Sequence, residues 1–273
     1  MKDGCMSIEE IQKGSLVVLK KIKEIFDRNG WKYYLAYGTL LGAVRHQGFI
    51  PWDDDIDIWV PRVDYEHFLE YCKNNADDLK TFELFHYSTS DKYIYTIARF
   101  SDSRYSIEYD NAKEYGLGLF VDIYPLDGVK PEKIENKKKI NKLINKIILL
   151  GSKKFIPSNN FLKSILKLPY YYLLKLKKLS KLLEKDDKLA QNYSFDDEKF
   201  FDCVCWEWKN NGYKKEWLIG PKDIFLEFEG EMFRVPFNFD QVLKEKYGNY
   251  MIIPDEKDRV GHHYYKAYKK TKI

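Results

Sequence analysis

The sequence is short of several things, and each shortage narrows its reading. Only four cysteines occur, Cys5, Cys72, Cys203 and Cys205. Their spacing, with one isolated C-x-C, fits no common zinc pattern, and they read as reduced thiols of an intracellular protein. No run of about 18 apolar residues occurs, so no spanning helix is expected. The opening MKDGCMSIEE lacks the apolar core of a signal peptide. A cytoplasmic location is therefore expected, with a peripheral place at the inner face of the membrane as a further option. The net charge of +4 is too mild to predict nucleic-acid binding, and none is expected. No internal repeat divides the chain.

Aromatic residues, by contrast, are plentiful: 16% of the chain, including 22 tyrosines. Tyrosine-rich surfaces suit ligands with one apolar and one polar side, such as nucleotides and sugars. An AT-rich codon supply would produce the same bias. With 273 residues and 44% hydrophobic composition, the chain can bury a real core.

Helical periodicity over 7–29, with Ser7 and Glu10 at capping-box spacing and Gly30 at the exit, predicts a first helix. A strand over 31–36 follows. Gly38-Thr39 then reads as a tight turn into a short helix, with Thr39 as N-cap. Further strands are predicted over 55–60, 93–100, 105–109 and 119–124. Asp64 is placed as the cap of a helix ending near Asn75. FEGEMFRVP (228–236) reads as a strand pair or meander, and 239–247 as a helix closed by Gly248. Mixed strands with intervening helices predict an α+β domain with a mixed sheet flanked by helices.

Composition changes sharply beyond Lys130. From 130 to 181 there are 15 lysines against two acids, Glu132 and Glu135. Leu and Ile are interleaved with the lysines at helical spacing, with breaks expected near Pro157 and Pro169. Such basic amphipathic helices lie on anionic membranes, or simply cover a sheet. The expected organisation is one catalytic domain over 1–273, with a core of 1–130 and 195–273 and a basic helical insertion at about 131–190.

The chemistry concentrates in PWDDDIDIWV, residues 51–60. On a strand, Asp53, Asp55 and Asp57 would share one face, while Ile56, Ile58 and Val60 point into the core. Like charges gathered in this way call for a cation. Oxygen-only ligands suit Mg²⁺ or Mn²⁺ rather than Zn²⁺. A charged surface turn is the plain alternative, and a bare D-x-D also occurs in glycosyltransferases. Upstream, the Gly38-Thr39 turn offers backbone N–H groups to a phosphate. Downstream, Asp122 is a lone acid in the apolar strand LFVDIY. It is costly there unless paired or liganded, and is placed to hold metal, take a proton or tie down a loop.

These stretches resemble one family. YYLAYGTLLGAVRHQGFIPWDDDIDIWVPRVDYEHF (33–68) is similar to the signature of the LicD family, which includes the fukutin-related proteins. VDIYPLDG (121–128), FEGEMFRVP (228–236) and EKYGNYMIIPDEKDRVGHH (245–263) resemble its later motifs. The resemblance spans roughly 8–128 and 225–263.

It implies a nucleotidyltransferase-like fold and transfer of a phospho-alcohol group from a CDP-linked donor to a hydroxyl of a glycan, possibly lipid-linked. Phosphocholine heads the list of groups transferred. Acceptors of this kind occur in teichoic acid, capsule and lipopolysaccharide. By the same resemblance, metal-binding acids map onto Asp53, Asp55 and Asp57, with Asp122 as the further catalytic acid. Arg45 and Arg259 are candidate phosphate clamps, since guanidinium matches phosphate oxygens. His262 and His263 are candidates to reach the diphosphate or to stabilise a tail. Trp52 and Tyr124 flank the acids and are candidates to stack on cytosine or hold a choline cation, with plain packing as the alternative. Fukutin-related proteins also carry a zinc-binding cysteine cluster; Cys203 and Cys205 alone cannot reproduce it, and zinc is not expected. Three alternatives stay open: a nucleotidyltransferase, a D-x-D glycosyltransferase using a UDP-sugar, and a non-catalytic adaptor at a membrane surface.

Overall fold

The computed structural model describes residues 4–90, 93–109, 116–151, 155, 157, 161–175, 178–206, 211–259 and 265–270. In chain order the elements are α1 (Ile8–Asn29), β1 (Tyr34–Leu35), α2 (Tyr37–His46), β2 (Asp57–Pro61), α3 (Arg62–Asn74), α4 (Ala76–Leu79), β3 (Phe82–Phe85), β4 (Ala98–Asp102), β5 (Tyr105–Tyr109) and β6 (Leu119–Val129). They continue with α5 (Ile134–Gly151), α6 (Phe161–Lys175), α7 (Leu179–Ala190), β7 (Phe200–Asp202), β8 (Tyr213–Lys214), α8 (Lys215–Leu218), β9 (Ile224–Phe228), β10 (Glu231–Val235), α9 (Phe239–Tyr247) and β11 (Tyr265–Lys269).

α1 forms as its sequence demands. Ser7 and Glu10 close a reciprocal capping box, and Gly30 ends the helix in the left-handed region at φ 71°. Its apolar stripe, Val18, Leu19, Ile22, Ile25 and Phe26, is fully buried. Each such side chain contributes about 1.5–3 kcal/mol by leaving water. The main sheet is mixed, as predicted, and runs β1-β2-β6-β4-β3, with β7 and β8 continuing from the far end of β6. β2 and β6 are parallel; β1, β4 and β3 run antiparallel to their neighbours. All five residues of β2 are buried, as for a strand covered on both faces. The same hydrophobic cluster takes residues from α1, α3, the sheet, α9 and the β9–β10 hairpin. That hairpin turns through Glu229 and Gly230, both at positive φ, a two-residue turn matched to strand twist.

Several local expectations need correction. The strand expected over 31–36 is only Tyr34–Leu35, because the Lys32 N–H bonds the Asp64 carboxylate instead of a ladder partner. For the same reason Asp64 does not cap α3; Pro61 holds that position. The strand expected from 93 starts at Ala98. Upstream of it, the Tyr93 N–H turns back to Ser90 O and the Thr96 carbonyl takes the Tyr65 hydroxyl. β6 passes through Pro125 to Val129 rather than stopping at 124. Pairing with β4 ends at Ile123 and pairing with β7 begins at Asp127, so on that edge no donor is required of Pro125.

Among the described residues, the lysine-rich segment forms three helices, α5 to α7. The break near Pro157 falls between α5 and α6, but α6 runs on through Pro169. Pro169 sits on an exposed face, where water can reach the carbonyl freed by its missing N–H. Ile140 of α5 and Ala190 of α7 join the main core. α7 is also held electrostatically. Arg62 makes two hydrogen bonds to Asp127 on β6, at 2.8 and 2.6 Å, and one to Asp187 on α7 at 3.0 Å.

Candidate active site

The parallel pairing of β2 with β6 sets Asp57 directly beside Asp122, with the Asp122 N–H bonded to Ile56 O at 2.9 Å. The antiparallel pairing of β4 with β6 sets Arg99 on the other side of Asp122. Directly paired residues share a face, so Asp57, Asp122 and Arg99 form a row across the sheet. Arg99 Nε donates to Asp122 Oδ1 at 2.6 Å, and Nη2 to Oδ2 at 3.3 Å. Its guanidinium lies over Tyr95 and Phe120, 4.7 and 4.4 Å from the ring centroids, and Nη1 donates to the Tyr109 hydroxyl. Asp122 is thus a buried carboxylate with a fixed cationic partner.

Asp53 and Asp55 precede the strand rather than belong to it, since β2 begins at Asp57. The lead-in is irregular but tied: the Asp53 N–H bonds Ile50 O, and Gln12 of α1 donates to Asp53 O at 2.7 Å. The three acids still act on one another. Burial, then the neighbouring Asp55 charge, pushes Asp53 up to about 8. Burial, then the charges of Asp55, Asp122 and Asp53, raises Asp57 well above the carboxylate range. Burial raises Asp122 as well, with Arg99 opposing. Asp54 faces the other way, to the Tyr265 hydroxyl of β11.

α2 begins beside these acids. Its N-cap is Ala36, not Thr39, so Gly38 and Thr39 lie in its first turn, where backbone N–H groups lack helical acceptors. Thr39 Oγ1 accepts from the Asp57 N–H at 2.9 Å and so locks the helix to the strand. A Cβ on Gly38 would stand 2.7 Å from Asp53 Oδ2. The missing side chain is therefore space for the Asp53 carboxylate. Tyr37, just before it, holds φ 45°, costly for a tyrosine and of the kind that functional sites retain. Its ring packs edge-on against Trp59 and Tyr124, at 5.2 and 5.1 Å.

Over 280 aligned residues, the chain is 30% identical to the lipopolysaccharide cholinephosphotransferase LicD of Haemophilus influenzae, covering 96% of this chain and 98% of that one. The chain belongs to the LicD family. A family profile described as LicD/FKTN/FKRP, nucleotidyltransferase domain, matches residues 30–149, which contain α2, β2, β4 and β6. Shorter similarities join it to uncharacterised proteins of Rickettsia typhi (51% over 51 residues, 19% of this chain and 16% of that one) and Rickettsia prowazekii (39% over 82 residues, 30% and 28%).

The remaining candidates come from several parts of this LicD-family chain. Tyr124, two residues beyond Asp122, is buried and interacts with the Asp57 carboxylate. Arg259 stacks over Trp52, 5.0 Å from its centroid, and donates to Pro254 O. One face of Trp52 is therefore taken by a cation of the chain itself. Arg45 Nη1 donates to Tyr250 O at 2.7 Å, tying α2 to the C-terminal segment. His262 and His263 lie outside the described residues. Cys203 and Cys205 are both buried and reduced. Sequence reasoning missed Arg99, Tyr37 and Tyr247, whose phenol feels the charges of Asp57, Asp53 and Asp55. A signal for Arg99 existed: YIYTIARF carries a lone cation in a largely apolar stretch, the complement of the lone acid in LFVDIY.

Proposed function

We propose that this protein is a phosphotransferase that moves a phospho-alcohol group, phosphocholine foremost, from a CDP-linked donor to a hydroxyl of a cell-surface glycan or its lipid-linked precursor. The observation that carries the reading is the Asp57–Asp122–Arg99 row, with Asp53 and the start of α2 beside it. The full-length similarity to a lipopolysaccharide cholinephosphotransferase supports the choice of group and acceptor.

The donor set is oxygen-only and carboxylate-rich, which fits Mg²⁺ or Mn²⁺. Among the described residues, no three His, Cys, Asp or Glu side chains gather as a finished metal cage. That is compatible with Mg²⁺, which is held by one or two carboxylates and completes its shell with water and substrate phosphates. Asp53, Asp55 and Asp57 would hold it, with Asp122 adjoining. The ion would neutralise charge on the donor diphosphate.

The chain's own groups do the rest. First-turn N–H groups of α2 offer donors to a phosphate oxygen. Arg99 orients Asp122 and opposes the upward shift that burial gives its carboxyl; in its carboxylate form its oxygens keep lone pairs to accept the proton of the acceptor hydroxyl. That hydroxyl oxygen bonds to the phosphorus bearing the alcohol, the phosphorus–oxygen bond to the cytidylate breaks, and CMP leaves with the electron pair. Arg259, against Trp52, is the candidate clamp for the departing phosphate.

The test is a panel of CDP-choline, CDP-ethanolamine, CDP-glycerol and CDP-ribitol with Mg²⁺ and glycan acceptors, read by CMP release. CMP from one of these, lost in Asp57→Ala with the fold intact, is expected. Pyrophosphate from CTP or UDP from a UDP-sugar, with no CMP from any CDP-alcohol, would overturn the reading.

A further inference from the structure

We infer that α6 and the groove beside it form a docking surface for an anionic phospholipid bilayer. A soluble helix ordinarily turns its apolar stripe inward. α6 does the reverse. It is seated through Tyr171, which is buried against Leu149 and Leu150 of α5. Leu162, Leu166, Pro169 and Leu173 follow at i, i+4, i+7 and i+11, on the side opposite Tyr171. The three leucines are 69%, 77% and 63% exposed, and Ile165 and Tyr172 flank them at 51% and 64%. Scattered exposed leucines need no explanation, but an aligned ridge of them does.

The occupant is indicated by charge. α6 has no acidic residue. Beside it, between α5 and α6, lies a groove of about 720 Å³ lined by Lys138, Lys142, Lys146 and Lys167, with Tyr170 at its edge. Apolar side chains next to a lysine-lined groove match a bilayer, which presents acyl chains just below a layer of phosphates. A second copy of this chain would set lysines against lysines. Spanning is excluded among the described residues, since no helix is long and apolar enough to cross. α6 would lie in the surface plane, its leucine ridge below the headgroups and the lysines of the groove on their phosphates.

The inference is independent of the proposed reaction, because vesicle binding requires no turnover. The purified full chain is floated with vesicles of phosphatidylcholine alone and of phosphatidylcholine with phosphatidylglycerol. Binding to the anionic vesicles only, weakened by added salt, is expected. Leu162→Ser/Leu166→Ser/Leu173→Ser and, separately, Lys138→Gln/Lys142→Gln/Lys146→Gln should each lower the apparent affinity at least about tenfold. The replaced leucines are exposed, so the unfolding midpoint should stay in place; the single Leu166→Ser variant gives the same readout with least disturbance. Failure to bind anionic vesicles, or equal binding to both kinds, would overturn the inference. So would a dimer in solution that Leu166→Ser dissolves, which would make the ridge a self-interface.

Discussion

Replacing Asp53 by Asn removes a buried, strained acid that stands beside the Asp57–Asp122–Arg99 row. Its carboxyl is pushed from 3.8 to about 8, first by burial and then by Asp55. Each unit is worth 1.36 kcal/mol, so at pH 7 the ionisation strain is about 4 kcal/mol. The sign follows from proton uptake. The folded chain keeps this proton to a higher pH than the unfolded chain, so the contribution is intact below about pH 4 and is lost as pH rises toward 8. Asparagine does not titrate and escapes this loss, but it buries an amide at a cost of about 1 kcal/mol or more. The metal-free variant should therefore be more stable than wild type by about 2–3 kcal/mol at pH 8, and within about 1 kcal/mol of it at pH 5. For a chain of this size that is an unfolding midpoint about 5 °C higher at pH 8. Thermal unfolding in chelator across pH 5–8.5 measures it. Mg²⁺ should raise the wild-type midpoint at pH 8 and raise that of Asp53→Asn less. Parallel pH profiles for the two chains would refute the strained-carboxylate account.

Three further outcomes follow from single contacts. Gly38→Ala adds a Cβ at 2.7 Å from Asp53 Oδ2; the carboxylate end can give way, so stability should change by less than about 1 kcal/mol while kcat falls at least about tenfold, measured by steady-state kinetics. Arg99→Leu strands the buried Asp122 and should cost about 3–5 kcal/mol, whereas Arg99→Leu/Asp122→Leu should recover most of that stability with no activity; denaturant titration of the single and double variants decides it. Asp187→Leu removes one carboxylate from the Arg62 network, and should cost about 2–3 kcal/mol and expose α7 to proteolysis before the rest of the chain, as limited digestion would show.

What was legible in the sequence was whatever depends on neighbours along the chain. The α1 capping box needs only Ser7 and Glu10 three residues apart, and Gly230 marks the hairpin because a left-handed residue favours glycine. The acids of 51–60 stood out because four carboxylates in five residues are costly in any fold. Boundaries fared worse where a distant group intervened. Asp64 has the composition of a cap but spends its carboxylate on Lys32, and Thr39 spends its hydroxyl on Asp57. Gly38 looked like a phosphate turn, and its absent side chain turned out to make room for Asp53.

By itself the sequence determined the α+β class, the acidic cluster of residues 53–57 and the LicD resemblance, because periodicity, composition and motif order are one-dimensional properties. Only the tertiary structure decided that Asp57 stands beside Asp122, and that Arg99, 23 residues before Asp122, holds it. Strand order and register set both pairings, and neither is written in local spacing, since a one-residue slip would turn these side chains to the opposite face. The lysine-rich helices divide the same way. Their composition was plain from the start, but which side of α6 faces outward depended on where Tyr171 found a place to bury itself.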